Sequence, residues 1–381
     1  MLGGDWLFAP STQAVFALLK SGGKQGLAVG GCVRNDLLGV PVNDVDFATD
    51  ARPDEVMALA RSAALGAVPT GIEHGTVTII AAGVAHEVTT FRKDIATDGR
   101  HARVCYAKTP EEDAHRRDFT MNALYADSAG NLFDPLGGLQ DLTARRVRFI
   151  DDAQVRIRED YLRILRFFRF HAWFGDPEGG IDPDALAAIA ANAEGILRLS
   201  KERIGGEMRK LLAAPDPAPS TAAMGHSGIL IRVLPGASAQ ALAPLVHLEA
   251  KAAAAPDWLV RLAAIGGDSP AQNLRLSRAE NRRLALLKGE IASLRPLPEL
   301  AYRQGARDAI AIAVLRAALS GTAPPEGTPR RATEAAGQKF PLRASDIASG
   351  ETGPALGTRL RELEQRWIDS GFRLSKEQLL H

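Results

Sequence analysis

Leu27-Ala28-Val29-Gly30-Gly31-Cys32-Val33-Arg34-Asn35-Asp36-Leu37-Leu38-Gly39, followed closely by Asn43-Asp44-Val45-Asp46-Phe47-Ala48-Thr49, decides the reading of this chain. The first stretch is a short apolar strand running into a Gly-Gly turn, where backbone amides can approach an anion, and then a helix over Cys32 to Leu38 whose N-terminus favours phosphate. The second places two carboxylates at i and i+2 on a strand. Asp44 and Asp46 then share one face while Val45 and Phe47 enter the core. Paired acids beside a phosphate cradle are what metal-assisted transfer of a nucleotidyl group requires, one ion on the triphosphate and one on the attacking hydroxyl.

Working outward, residues 27 to 30, 45 to 49, 76 to 81, 84 to 91 and about 146 to 150 read as strands, with Ala82-Gly83 as a hairpin turn. Helical segments near 11 to 20, 53 to 65 and 111 to 125 lie between them. The first 150 residues are therefore a small α+β head with a mixed sheet. Beyond residue 151 only helical spacing remains, in Asp152 to Phe174, Asp182 to Asn192, Ser200 to Leu212 and several Ala/Leu/Arg-rich segments up to residue 320. Breaks at Pro215 to Ser220 and Gly321 to Arg330 divide this extension. The expected units are 1–150, 151–214, 215–325 and 326–381.

The chain has 381 residues, 46% hydrophobic and 24% charged, which excludes global disorder and calls for more than one core. Two cysteines, Cys32 and Cys105, are too few for a disulfide framework or a zinc cluster and suit a reducing, cytoplasmic setting. No apolar stretch reaches membrane-spanning length, since Arg316 interrupts the run from Ala309 to Leu319. The net charge of +1 hides a local excess. Arg145, Arg146, Arg148, Arg156, Arg158, Arg163, Arg166 and Arg169 crowd the segment after the head, a pattern that reads as phosphate or RNA contact or as a solvated helix face.

Other chemistry-bearing residues follow the acid pair. Glu87, alternating with Thr89 on a later strand, is the candidate third carboxylate and reads equally as an edge-strand glutamate. In Arg116-Arg117-Asp118-Phe119-Thr120-Met121-Asn122, a helix would set Asp118 and Asn122 one turn apart, an acceptor and a donor for a ribose 2′-hydroxyl, with Arg117 toward phosphate. Asp134-Pro135-Leu136-Gly137-Gly138 suits a bend between head and extension, or a plain turn. In Glu159-Asp160-Tyr161-Leu162-Arg163, Asp160 and Arg163 stand at i and i+3, with Glu159 bracing Arg163. An aspartate beside an arginine can copy a Watson–Crick edge: Asp160 accepts the exocyclic amino group of cytosine or adenine, and Arg163 donates to the ring. Uracil and guanine would oppose acceptor to acceptor. A surface ion pair is the plainer reading of the same spacing.

In this order the motifs resemble the class II tRNA nucleotidyltransferases, the CCA-adding enzymes, and the related bacterial poly(A) polymerases. Gly30-Gly31-Cys32-Val33-Arg34 with Asp44-Val45-Asp46 is similar to the family's catalytic motif, Arg117 to Asn122 to its ribose-reading motif, Asp134 to Gly138 to its hinge, Glu159 to Arg163 to its amino-acid template, and Leu199 to Ile204 with Glu207 to its fifth element. The resemblance implies a head, neck, body and tail with tRNA along the helical part. It also implies two Mg2+ ions on Asp44 and Asp46, and CTP and ATP as substrates. Nucleotide contacts would fall on Gly30, Gly31, Arg34, Arg117, Asp118, Asn122, Asp160, Arg163 and Arg166, and RNA contacts on Arg203 and Lys210. No obligate protein partner is implied. Gly71 to Thr78, Glu87 to Arg92 and the loop from Lys93 to His115 resemble the CCA-adding type, with A-tailing as the alternative within the family and a catalytically silent RNA-binding protein as the alternative outside it. The family commonly has Asp after the Arg of the first motif, whereas this chain has Asn35. None of the eight histidines precedes an Asp, so the phosphohydrolase dipeptide of some relatives is missing.

Overall fold

The computed structural model describes residues 2–96, 103–252, 254–347 and 353–381. Nine strands are found among them: β1 (Gly26–Val29), β2 (Phe47–Thr49), β3 (Gly66–Gly71), β4 (Thr76–Ala81), β5 (Val84–Thr90), β6 (Arg92–Ala96), β7 (Arg103–Tyr106), β8 (Tyr125–Ala126) and β9 (Leu132–Phe133). Seven form one mixed sheet in the order β3-β4-β5-β2-β1-β8-β9, in which only β2 and β5 run parallel; β6 and β7 pair separately.

The register explains which residues go inside. Phe47 lies opposite Ala28 on one side and Val88 on the other, and all three point to the face covered by the helices Pro10–Ser21 and Pro53–Ser62. Phe16 meets Phe47 edge-on with ring centroids 4.9 Å apart. Phe47 is fully buried, and its truncation to alanine would cost about 3–5 kcal/mol. The opposite face packs Leu27, Val29 and Ala48 against Ala114, Ala123, Tyr125 and Ile150. Ala82 and Gly83 join β4 to β5 with φ of 48° and 79°, the left-handed pair that a two-residue hairpin turn demands.

Three expected elements differ. The helix placed over 111 to 125 ends at His115; a turn, a short 3₁₀ segment at Thr120–Asn122 and β8 follow. The strand expected at 146 to 150 is only a bridge between Phe119 and Phe149. The helix over Asp152 to Phe174 is two helices, Ala153–Glu159 and Leu162–Phe174, broken at Asp160, whose backbone is extended (φ −152°, ψ 106°). Asp160 initiates the second helix, its carboxylate accepting from the Leu162 amide at 3.0 Å. Tyr161 at this break packs onto Gly195 so closely that a Cβ there would stand 1.9 Å from the ring. The strand β3 and the pairs β6–β7 and β8–β9 were not anticipated.

Beyond residue 151 the regular elements among the described residues are helices, apart from one isolated bridge, Ala237 to Gly266. The chain divides into two compact units, 1–207 with 226–233, and 208–225 with 234–381. The second unit is a helical assembly whose last part packs Leu342, Leu363, Trp367, Ile368 and Leu379 with Tyr302, Phe340 and Phe372. Inside it Arg261, 1% exposed, binds Glu249 and the carbonyls of Leu212 and Pro215, and that of Ala214 as well. None of the described helices is long and apolar enough to cross a membrane.

Candidate active site

The first unit carries a cleft of about 570 Å³ lined by Gly30, Gly31, Arg34, Asp46, Arg117, Asp118, Asn122, Asp160, Arg163, Arg166 and Arg203, together with Arg92, Arg116, Leu162 and Phe170. Residues spread over most of the unit's sequence thus meet in one place. At its floor β1 runs into the Gly-Gly turn and the helix Gly31–Leu37. Gly30 adopts φ 75° and ψ −116°, a conformation that a side chain would strain. The Arg117 guanidinium lies against it, 3.6 Å from where a Cβ would be.

Asp44 and Asp46 precede β2 rather than lie within it, yet the alternation holds: both are exposed while Val45 and Phe47 are buried. The amide of Val29 donates to the Asp46 carbonyl at 2.9 Å and fixes that alternation to β1. Extending the Phe47–Val88 pairing back by one position sets Asp46 beside Glu87 on the same open face. Desolvation by the packed cleft wall and the charge of Glu87 push the Asp46 carboxyl up to about 6; Arg117 opposes the rise and Asp44 adds to it. Among the described residues no three acids, histidines or cysteines converge tightly enough to hold a metal by themselves. An exposed all-oxygen pair suits Mg2+, which is usually held by one or two carboxylates completed by water and substrate phosphates.

Asp118 and Asn122 come together without the expected helix. Asn122 Nδ2 donates to Asp118 Oδ1 at 2.9 Å, the Phe119 amide donates to the same oxygen at 2.9 Å, and Arg166 Nε donates to Oδ2 at 2.7 Å. Arg34 donates to Asn122 Oδ1 and, at 2.9 Å, to Asn35 Oδ1, and its guanidinium lies 4.1 Å from the Phe174 ring centre. Burial and the neighbouring charges of Arg169 and Arg166 bring Arg34 down to about 10, against the pull of Asp118. Both terminal nitrogens of Arg34 are committed within the protein, so it braces the Asp118–Asn122 pair more than it presents itself to a ligand. Asn35 also donates to the Pro41 carbonyl at 3.0 Å, a bond that an aspartate, having no N–H, could not make.

Glu159 braces Arg163 as the spacing predicts, and it holds Arg156 at 2.7 Å as well. Arg163 further donates to the carbonyls of Arg156 at 2.7 Å and Arg116 at 3.1 Å. Asp160, at the helix break instead of on a continuous face, pairs with Arg203 at 2.6 Å. Arg203, expected at RNA, therefore sits in the cleft beside Asp160, while Lys210 belongs to the second unit. The Asp134 carboxylate accepts the amides of Gly138 (2.8 Å) and Leu139 (2.9 Å) and so caps the helix Gly138–Thr143.

Against known proteins, a model of the poly A polymerase head domain matches residues 27–148, and one described as a probable RNA and SrmB-binding site of polymerase A matches residues 180–240. The mitochondrial CCA tRNA nucleotidyltransferase 1 of Mus musculus is 32% identical over 396 aligned positions, covering 98% of this chain and 90% of that one. The chain belongs to the CCA tRNA nucleotidyltransferase family. Another member, the CCA-adding enzyme of Geobacillus thermodenitrificans, is 36% identical over 82% of this chain and 79% of its own. Among solved structures, the Bacillus stearothermophilus CCA-adding enzyme in complex with CTP superposes with a TM-score of 0.73 at 28% identity, covering 95% of this chain and 93% of that one. The expected α+β head and helical extension are those of this family. The segment 97–102, with the Asp98-Gly99-Arg100 of the loop that resembles the CCA-adding type, lies outside the described residues, as do 348–352.

Sequence reasoning passed over Arg92, Arg116 and Phe170 as site residues, and also the support behind them. Asp113, Arg116 and Arg117 stand at i, i+3 and i+4, a helical salt-bridge spacing that was legible. The meeting of Tyr125 with Asp113 at 2.9 Å was not, because it depends on a turn that the sequence pattern disguised as helix.

Proposed function

We propose that this protein adds CCA to the 3′ end of tRNA from CTP and ATP without a nucleic-acid template. The observation that carries the reading is the single cleft in which the exposed acid Asp46, the Asp118–Asn122 pair and the Asp160–Arg163 pair face one another. In this reading Asp44 and Asp46 would hold Mg2+, with Glu87 reinforcing the negative field at Asp46. The ions, when bound, would neutralise the triphosphate and lower the pKa of the attacking 3′-hydroxyl. The amides around Gly30 and Gly31 and the guanidiniums of Arg116 and Arg117 would receive the triphosphate. Asp118 and Asn122, already oriented by Arg166 and Arg34, would read the ribose. Asp160 would accept the amino group of cytosine or adenine while Arg163, locked by Glu159, donates to the ring. Arg203 would hold the Asp160 carboxylate in place, and Lys210 would meet RNA. The working division is a head (1–150), a neck (151–214), a body (215–325) and a tail (326–381), acting in the cytoplasm.

The test is incubation with Mg2+ and labelled CTP, ATP or both on tRNA transcripts ending before CCA, after C or after CC. Three additions that then stop bear the proposal out. Long tails from ATP alone on any RNA would make the protein a poly(A) polymerase, one A added only to the CC end an A-adding enzyme, and tRNA binding with no incorporation a silent binder.

A further inference from the structure

Behind the cleft one carboxylate gathers its phosphate-facing arginines. Asp113, in the helix Pro110–His115, is 0% exposed. Its Oδ1 accepts from Arg116 Nε at 2.7 Å and from the Arg92 amide at 3.4 Å. Its Oδ2 accepts from Arg117 Nη2 at 2.8 Å, Arg117 Nε at 3.1 Å and the Tyr125 hydroxyl at 2.9 Å. Burial works to raise its pKa, but the charges of Arg117 and Arg116 outweigh burial and hold it well below the ordinary carboxylate range.

The geometry is one-sided. Asp113 takes the inner edge of each guanidinium, leaving both terminal nitrogens of Arg116 and Nη1 of Arg117 without a partner among the described residues, and that Nη1 lies over Gly30. Two cations share one anion, so a positive charge remains at the cleft wall beside the Gly-Gly turn. The carbonyls of the same two arginines accept from the base-reading side: Arg163 donates to Arg116 O at 3.1 Å and Arg156 to Arg117 O at 3.2 Å. The segment that Asp113 aims is therefore also the segment on which Arg163 rests.

Resting on the reading of this cleft as a nucleoside triphosphate site, we propose that Asp113 is a positioning residue. It never touches the nucleotide, but it turns the Arg116 and Arg117 forks toward the triphosphate and ties that grip to the arginine that reads the base. Without the anion the two guanidiniums would repel one another, and each would regain the rotamer freedom that the clamp removes.

The experiment compares CTP with CMP by calorimetry on the full chain in EDTA without RNA, so that the arginines alone supply the preference for triphosphate. The wild type should bind CTP more tightly than CMP by at least about tenfold, the worth of one charge-assisted hydrogen bond. Asp113→Asn should reduce that ratio to within about twofold while CMP affinity stays nearly constant, which a general loss of folded protein would not produce. Tyr125→Phe, which removes one donor and keeps the charge, should lower the ratio by a smaller factor and serves if the asparagine variant does not fold. Unaltered ratios in folded Asp113→Asn, or in Tyr125→Phe where it stands in, overturn the inference. A wild type with measurable CMP affinity but no CTP preference overturns it too, whereas a wild type that binds neither nucleotide sinks the triphosphate reading and the inference with it.

Discussion

Two ion-pair clusters, one in each compact unit, use their arginines in opposite ways. In the helical unit both members are buried, and the cation is fully used: Arg261 spends its donors on Glu249 and on carbonyls at the end of the helix Lys201–Leu212 and just beyond it. Behind the cleft the fully buried member is an anion, Asp113, and its arginines keep nitrogens that no group among the described residues uses. An arginine satisfied on every side can only hold a structure together, whereas an arginine held from behind is prepared for a ligand in front. How completely the arginine is satisfied separates the two roles better than the presence of an ion pair does.

The contrast predicts that substitutions in the cleft damage turnover while those at Arg261 damage folding. The largest effect on rate belongs to Asp46→Ala: nucleotide incorporation should fall by about 10³-fold or more, the equivalent of about 4 kcal/mol of transition-state stabilisation. Transfer RNA affinity, measured by filter binding, should stay within a few-fold, and near-normal turnover would remove Asp46 from the metal pair. Arg261→Met should instead cost about 3–5 kcal/mol of stability, because Glu249 stays buried without its partner. Denaturant unfolding reads this directly. Were the folded fraction to lose activity in proportion, the division of roles between the two arginine sites would be wrong.

How much of this was legible follows the range of the interactions. The strand, Gly-Gly turn and acid pair were readable because they lie within about twenty residues and because alternation alone puts Val45 and Phe47 inside. Glu159 and Arg163 were readable as an i,i+4 pair. Asp118 and Asn122 were correctly brought together for the wrong geometric reason, since four residues span a 3₁₀ turn as well as a helical one. The break at Asp160 was hidden: nothing in Glu-Asp-Tyr-Leu-Arg resists a helix, and the interruption depends on Tyr161 meeting Gly195 and on Arg203 reaching Asp160. The split at Glu207 and the return of 226–233 to the first unit are tertiary facts with no local signal.

A smaller effect probes the break. Asp160→Ala should reduce discrimination for CTP and ATP over UTP and GTP by about 10–100-fold, the equivalent of about 1–3 kcal/mol for one buried polar mismatch. The change should come more from faster use of UTP and GTP than from slower use of CTP. Misincorporation assays with single nucleotides measure it, and an unchanged ratio would remove Asp160 from the proposed base recognition.

The smallest expected effect concerns two acids of opposite sign. Asp46 is raised in the folded state from 3.8 to about 6, so between those values the native protein holds a proton that the unfolded chain releases, and stability falls as pH rises through that window. Asp113 is depressed, so its contribution is present above its ordinary value of 3.8 and is lost as the solution is acidified below it. In EDTA, Asp46→Asn should therefore raise the melting temperature by a few degrees at pH 7, an amount comparable to about 1 kcal/mol because solvent screens this exposed carboxylate and reduces the full worth of its shift, with the gain gone below about pH 4. Asp113→Asn should do the reverse, destabilising most at pH 7 and least in acid. A loss of stability in Asp46→Asn at neutral pH would mean that this carboxylate is held by partners like a structural acid, and the separation between charges kept for ligands and charges kept for the fold would fail at its most exposed member.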